Sequence, residues 1–402
     1  MSVRLGLEQL LQDQKLKTRL KGCRVGLVAH PASVSADLQH SLDALIKAKI
    51  PVTCAFGPQH GMRGEKQDNM IESGDFIDAK HGIPVFSLYG ETRRPTEKML
   101  EHCDTFLFDL QDVGCRIYTF LTTLFYIIDD AARTGCSVWV LDRPNPAGRV
   151  IEGSKLDMNF ASFVGAAPVV MRHGLTLGEA GQWYKNLRNL DVNYHVVKMR
   201  GYKPAEKPDF GWRLGERAWV NPSPNIPRLS TVRMYAGTVL IEGTNLSEGR
   251  GTTRPLELIG APGIDAEKWV AAIDKMINPD VLGGAILRPC FFEPTFQKHK
   301  SELCAGFQIH IDHSGYRHNR FRPYRIVCAA LKTLRQLQPD FELWRDPPYE
   351  YEAKKMPIDI LSGDSFLREW VDDPAAKWRD LEHKLERDEA DWRQESREYY
   401  LY

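Results

Sequence analysis

The sequence predicts an α/β protein: a Rossmann-like parallel-sheet domain over residues 1–160, followed by a smaller α+β domain over residues 161–402. Three observations carry that prediction. The first 150 residues alternate short apolar runs with amphipathic helical patterns. The apolar runs are nearly unbroken, as strands buried on both faces require. Polar clusters fall at the carboxyl ends of those runs, where open parallel sheets collect ligands.

Arg24 to Ala29 reads as the first strand, Ala36 to Ala48 as a helix, and Pro51 to Phe56 and Pro84 to Leu88 as strands. Pro95 to His102 reads as a helix, Thr105 to Leu110 as a strand, Phe120 to Thr134 as a helix and Ser137 to Leu141 as a strand. The turn after the first strand, His30-Pro31-Ala32-Ser33, has no GxGxxG to cradle a pyrophosphate, so the layout carries no dinucleotide cofactor. A looser stretch from about Pro146 to Val170, with Gly148, Gly153, Gly165 and Pro168, leads into the second domain. There Thr176 to Leu190 reads as a helix opened by a capping box of Thr176 and Glu179, and Tyr194 to Met199 as a strand. Asn221 to Pro227 is too proline-dense for either. A strand is expected at Thr238 to Ile241, a helix at Ala266 to Ile277, a strand near Phe307 to Ile311 and a helix at Tyr324 to Leu337. The charged tail from Ser365 to Tyr402 is helical in pattern and expected on the outside.

The totals narrow the classes of function. Of 402 residues, 43% are apolar, enough for a packed interior, and 53 basic residues balance 53 acidic ones, so no global field draws the chain to nucleic acid or an anionic membrane. The N-terminus lacks the apolar core of a secretory signal, and no segment reaches the roughly 18 apolar residues of a membrane span, which points to the cytoplasm. Eight cysteines lie scattered without CxxC pairs and read as reduced and mostly buried.

One stretch has little to bury and much to bind with: IEGTNLSEGRGTTRP, residues 241–255. Gly243, Gly249 and Gly251 permit sharp turns, while Glu242, Asn245, Glu248, Arg250, Thr252, Thr253 and Arg254 offer carboxylates, guanidiniums and hydroxyls. Two carboxyl groups roughly 5–9.5 Å apart are the equipment for splitting a glycosidic bond. Six residues of extended chain would hold Glu242 and Glu248 about 20 Å apart. They serve one bond only if the glycines fold the loop back; otherwise a second acid comes from the first domain. The structural alternative for each is an ion pair with Arg250 or Arg254.

Further clusters sit on the sheet ends. His60 and Arg63, in GPQHGMRG, follow a buried strand and offer a titratable imidazole and a planar fork. Asp68, Asn69 and Glu72 follow, equally suited to forming turns. Asp109, Gln111, Asp112 and Arg116 end one strand, and Asp142, Arg143 and Asn145 another. Asp109 interrupts an apolar run, so it is either functional or the hub of a buried ion pair. His310, Asp312, His313 and His318 resemble a metal set only superficially, because strand alternation splits them between faces. No metal site is expected.

The strings FGPQHGMRG, SLYGETRRPT, FDLQDVGCRIYTF, VLDRPNPAGRVIEG, FVGAAPVVMRHGLTLGEA, NPSPNIP and EGTNLSEGRGTTRPLELIGAP resemble, in order, the successive motifs of the exo-β-N-acetylmuramidase family. The resemblance runs from about Val25 to beyond Gly263. It implies a glycoside hydrolase that releases N-acetylmuramic acid from the non-reducing end of peptidoglycan fragments, with no cofactor and an active site in the cleft between two domains. By that resemblance Glu248 is the leading catalytic carboxylate and Glu242 the next, assisted by His60. Gln59, Asp109, Gln111, Asp112, Asp142, Asn145, Asn221 and Asn245 would complete a polar pocket, and Arg250, Thr252, Thr253 and Arg254 would hold substrate. Arg63, Arg116, Arg143 or Arg254 would take the lactyl carboxylate of muramic acid. One departure stands out: family members carry glutamate where this chain has Gln59, which cannot transfer a proton. Glu65 is the nearest replacement. Two other readings compete, a binding protein without turnover, motivated by Gln59, and a metal-dependent hydrolase using His60, Asp68 and Glu72.

Overall fold

The computed structural model describes residues 2–62, 64, 72–207, 210–212 and 215–402. Its strands are β1 (Val25–Ala29), β2 (Val52–Gly57), β3 (Phe76–Ile77), β4 (Pro84–Ser87), β5 (Thr105–Asp109), β6 (Ser137–Leu141), β7 (Glu152–Lys155), β8 (Val170–Arg172), β9 (Tyr194–Val197), β10 (Leu258–Ala261), β11 (Ile286–Phe292) and β12 (Cys304–His310). Seven of them form one sheet in the order β3-β4-β2-β1-β5-β6-β9, parallel throughout except for the edge pair β3 and β4. Without β3, this is the doubly wound order, and its switch point lies between β1 and β5.

The sheet forms because its strands bury both faces. Val25, Leu27 and Ala29 of β1, Leu107 of β5 and Trp139 and Leu141 of β6 belong to one core. Their neighbours Val28, Phe106, Phe108, Val138 and Val140 point into the other, as the period of two along a strand dictates. The helix Ser41–Lys47 covers the first face. The helices Phe120–Thr134 and Leu177–Leu187 cover the second and stack Phe125 on Tyr184 with ring centroids 4.2 Å apart. The capping box of Thr176 and Glu179 opens the latter helix as expected.

Beyond β9 the chain builds a three-stranded antiparallel sheet, β10-β12-β11, and a helix, Pro323–Leu337, buried from Pro323 to Leu334, whose Ile326 to Leu331 are fully covered. Two expectations need correction. Thr238 to Ile241 is not a strand: the helix Leu229–Thr238 runs directly into a 3₁₀ turn, Val239–Gly243. A short apolar run does not distinguish a buried helix from a buried strand, and its packing on the helix Pro357–Ser362 decided. The charged tail is helical, as Phe366–Asp372 and Trp378–Ser396, but it is not merely outside. Trp392 is fully buried against Trp183, and Glu389 reaches Arg325 at 2.5 Å.

All eight cysteines are free thiols, and every one but Cys23 is buried. Among the described residues, no helix is long and apolar enough to cross a membrane.

Candidate active site

The 241–255 stretch folds back on itself. Ser247 pairs with Gly260 of β10. Gly249 and Gly251 then adopt φ of +72° and +80°, where a side chain would be strained and would also press on Leu258 Cβ or the backbone of Thr295 and Phe296. The result is that Glu242, on the 3₁₀ turn, and Glu248, in the loop, meet one guanidinium. Arg250 Nη2 donates to Glu242 Oε1 at 2.5 Å, and its Nε donates to Glu248 Oε1 at 2.8 Å. The extended spacing of about 20 Å is not realised, and the ion pair with Arg250 is present for both carboxylates.

Glu242 and Arg250 line a small, partly open cavity of about 30 Å³, together with Gln59 and His60 from the end of β2 and Tyr118 and Thr119 from the segment after β5. Gln59 Oε1 accepts from Thr119 Oγ1 at 2.7 Å. His60 Nε2 lies 3.1 Å from Ser223 Oγ, and its own φ is +70°. Tyr235, Tyr349 and Glu350 complete the polar wall. Tyr349 donates to Glu242 Oε2 at 2.8 Å, and Tyr89 donates to Glu350 Oε2 at 3.2 Å. Glu248 is not on this wall. It sits behind Arg250 with Lys298 Nζ 2.8 Å from Oε2.

The charges follow from this arrangement. Burial works to raise Glu248, but Lys298 and Arg250 outweigh it and hold the carboxyl below the usual range. Burial opposes the charge on Arg250, yet Glu242 and Glu248 together raise its affinity for the proton. Glu350 is displaced the other way, up to about 7, first by burial and then by the nearby charge of Glu242, against the opposing pull of Tyr89, Arg93 and Arg345. A carboxyl displaced upward, Glu350, and one held below the usual range, Glu248, therefore lie in one small region, the kind of separation on which acid–base chemistry draws.

Most other sequence-predicted residues hold the loops at the sheet ends. Asp109 and Arg143 form a buried bidentate pair at 2.6 and 3.0 Å. Gln111 donates to the carbonyls of Asp112 and Pro144. Asp112 accepts from the Gly114 amide at 2.7 Å and lies 3.5 Å from His173. Asn145 spans Ala147 and Leu175. Asp142 accepts from Thr176, Gly178 and Tyr402, and burial together with the Glu179 charge pushes its carboxyl up to about 7. Arg116 is fully buried and donates to the carbonyls of Ser154, Val169, Leu361 and Ser362. Its Nη1 and Nη2 are thus engaged inside the fold.

Others stand apart from the cavity. Asn245 binds the carbonyls of Glu342 and Trp344, and Asn221 is exposed. Thr252, Thr253 and Arg254 line a separate groove of about 930 Å³ with Arg288 and Phe291. Arg63, Glu65, Asp68 and Asn69 lie outside the described residues. Glu72 is 3.1 Å from the Tyr351 hydroxyl. Among the described residues, no group of three or more His, Cys, Asp or Glu side chains is placed to hold a metal ion.

Tyr89, Lys298, Tyr349 and Glu350 were not read from the sequence as site residues. Tyr89 lies within SLYGETRRPT, and the DPPYEYE run at 346–352 shows a proline pair followed by aromatic and acidic residues without any period. Those were the available signals.

Comparison with known proteins identifies the family. Two descriptions, "Exo-beta-N-acetylmuramidase NamZ, N-terminal" and its C-terminal counterpart, match residues 25–230 and 233–402. A peptidoglycan beta-N-acetylmuramidase of Bacillus subtilis (strain 168) is 42% identical over 344 residues, covering 85% of this chain and 79% of the relative. A solved DUF1343 family protein from Bacteroides fragilis NCTC 9343 superposes with a TM-score of 0.85 at 30% identity, covering 100% of this chain and 99% of the other. A second protein from the same organism superposes with a TM-score of 0.77 at 24% identity and equal coverage, and supports the fold alone. With both halves matched in order and the relative covering most of the chain, this protein belongs to the exo-β-N-acetylmuramidase family.

Proposed function

We propose that this chain is an exo-acting glycosidase that releases N-acetylmuramic acid from the non-reducing end of peptidoglycan-derived fragments, and that the reaction takes place at the cavity around Arg250. The observation that carries this reading is the wall on which Arg250 presents Glu242 to the cavity it shares with Gln59 and His60. Splitting an acetal at neutral pH needs a carboxylate on one face of the sugar and a proton donor on the leaving oxygen. Glu242, gripped by Arg250 and Tyr349 on the cavity side, suits the first of these roles. Glu248, the leading carboxylate by resemblance, suits a supporting one: it balances Arg250 and Lys298 and fixes the direction of the guanidinium.

About 30 Å³ holds roughly two water molecules. A sugar ring is larger than this space, so binding one involves the cavity's open side or movement of a wall, and closure over it would exclude water from the reacting bond. Of the cations offered for the lactyl carboxylate, Arg116 and Arg143 are engaged inside the fold, while Arg254 faces the neighbouring groove. The eight unpaired thiols fit a reducing, cytoplasmic setting.

The test is incubation with 4-nitrophenyl β-N-acetylmuraminide and with the N-acetylmuramic acid–N-acetylglucosamine disaccharide. Nitrophenol and free N-acetylmuramic acid are expected. Binding without release at any pH from 5 to 8 would make this a sugar-binding protein, and loss of activity on exhaustive chelation would restore the metal-dependent reading.

A further inference from the structure

Glu350 has no counterpart among the motifs read from the sequence, yet the fold spends effort on it. Tyr349 and Glu352 pair across a two-residue turn, with N to O distances of 3.0 and 2.9 Å in the two directions. The central residues, Glu350 and Tyr351, have φ of +46° and +68°. Turns with both central residues at positive φ are normally filled by Asn-Gly or Asp-Gly, because other side chains are strained there. A glutamate followed by a tyrosine is among the less suitable pairs. Strain of this kind, of order 1–3 kcal/mol per residue, persists only where surrounding contacts over-determine it, and it concentrates at functional sites.

Here the surrounding contacts aim a carboxyl at the cavity. Glu350 is only 5% exposed and lines the cavity with Glu242, Arg250 and His60. Tyr89 donates to it, Arg93 lies over the rings of both Tyr89 and Tyr351 at 4.3 Å, and Arg345 stands at longer range. Neither arginine forms an ion pair with it at contact distance. A buried carboxyl next to another carboxylate, with no cation at contact distance among the described residues, is in the environment that favours a protonated carboxylic acid.

We infer that Glu350 is the proton donor to the leaving group, acting with Glu242 at the same cavity, in the role that Gln59 cannot fill. This rests on the glycosidase reading above and assigns the second acid to that same site. As the bond between C1 and the bridging oxygen breaks, its electron pair leaves on oxygen, which takes the Glu350 proton and departs as the free hydroxyl of the next sugar. One water supplies the hydroxyl that ends on C1 and, in the net reaction, the proton that recharges Glu350. The position of Glu350 near 7 is matched to donating at neutral pH.

A donor to the leaving oxygen matters in proportion to how poor the leaving group is, and the experiment uses that dependence. In E350Q, kcat/KM on the disaccharide is expected to fall at least 100-fold, while kcat/KM on the 4-nitrophenyl glycoside falls less than about tenfold. In the unaltered enzyme, which involves no question of folding, kcat/KM on the disaccharide should decline as pH rises through about 7. That decline should be weaker on the nitrophenyl glycoside. Equal losses on the two substrates, or disaccharide hydrolysis by E350Q above a tenth of the original rate, would overturn the assignment. An unaltered enzyme inert toward both substrates would instead remove the glycosidase reading, and the role of Glu350 with it.

Discussion

Arg250 reaches Glu242 at 2.5 Å from inside the protein, its other edge occupied by Glu248, so one guanidinium sets the position of a cavity carboxylate and is itself held from behind. Charge-assisted bonds of this kind are short and directional, and in a water-poor site each partner fixes the next. The predictions below take that chain of contacts, and the fold around it, apart at separate points.

Glu242→Gln keeps the shape and one acceptor but removes the negative charge facing the sugar. Turnover of the 4-nitrophenyl glycoside and of the disaccharide should both drop by 100-fold or more, with KM little changed. Steady-state kinetics beside a far-ultraviolet spectrum would check this. More than a tenth of the rate on either substrate would contradict the role given to Glu242.

Glu248→Gln acts elsewhere. It leaves Lys298 and Arg250 sharing a single carboxylate, and removing one partner of a buried charge cluster costs about 3 kcal/mol. We expect a lower midpoint in chemical denaturation together with reduced activity, and partial recovery of stability in E248Q/K298M, where the stranded cation is also removed. Stability equal to the unaltered protein in E248Q would show that the cluster is not structural.

Arg116→Met tests whether this cation serves substrate or scaffold. Four carbonyls lose their donor in the interior, and each unsatisfied group costs about 1–3 kcal/mol. The variant should be destabilised by several kcal/mol or fail to accumulate. If it folds, its KM for muramic acid glycosides should be unaltered; a selective rise in KM would return Arg116 to the binding site.

Asp142 makes stability depend on pH. Its carboxyl is raised to about 7 in the folded chain by burial and the Glu179 charge, against about 3.9 when unfolded. The folded state therefore binds this proton more tightly. The contribution is complete below about pH 4 and is lost as pH rises through about 7, on the order of a few kcal/mol. Glu152, also raised to about 7 by burial, acts in the same direction. Denaturation of D142N from pH 5 to 8 should show a shallower decline than the unaltered chain; parallel curves would refute the linkage.

What the sequence determined by itself was whatever depends on near neighbours. The apolar runs of the first 150 residues, alternating with helical patterns, read as strands with two covered faces, the period of 3.6 set the helix Phe120–Thr134, and Thr176 with Glu179 wrote a capping box into four residues. The glycine-punctuated run from Glu242 to Arg254 announced itself because polar side chains and free backbone turns coincide there. Tertiary structure decided the rest. Only folding could show that Arg116 spends its donors on carbonyls from Ser154 to Ser362, or that Glu248 stands behind Arg250 while Glu242 stands in front. Glu350 was hidden for the same reason. Its proximity to Tyr89, 261 positions away, leaves no trace in local spacing, and the role of a carboxyl is fixed by which charges and how much water surround it, a property of three dimensions that no stretch of chain carries alone.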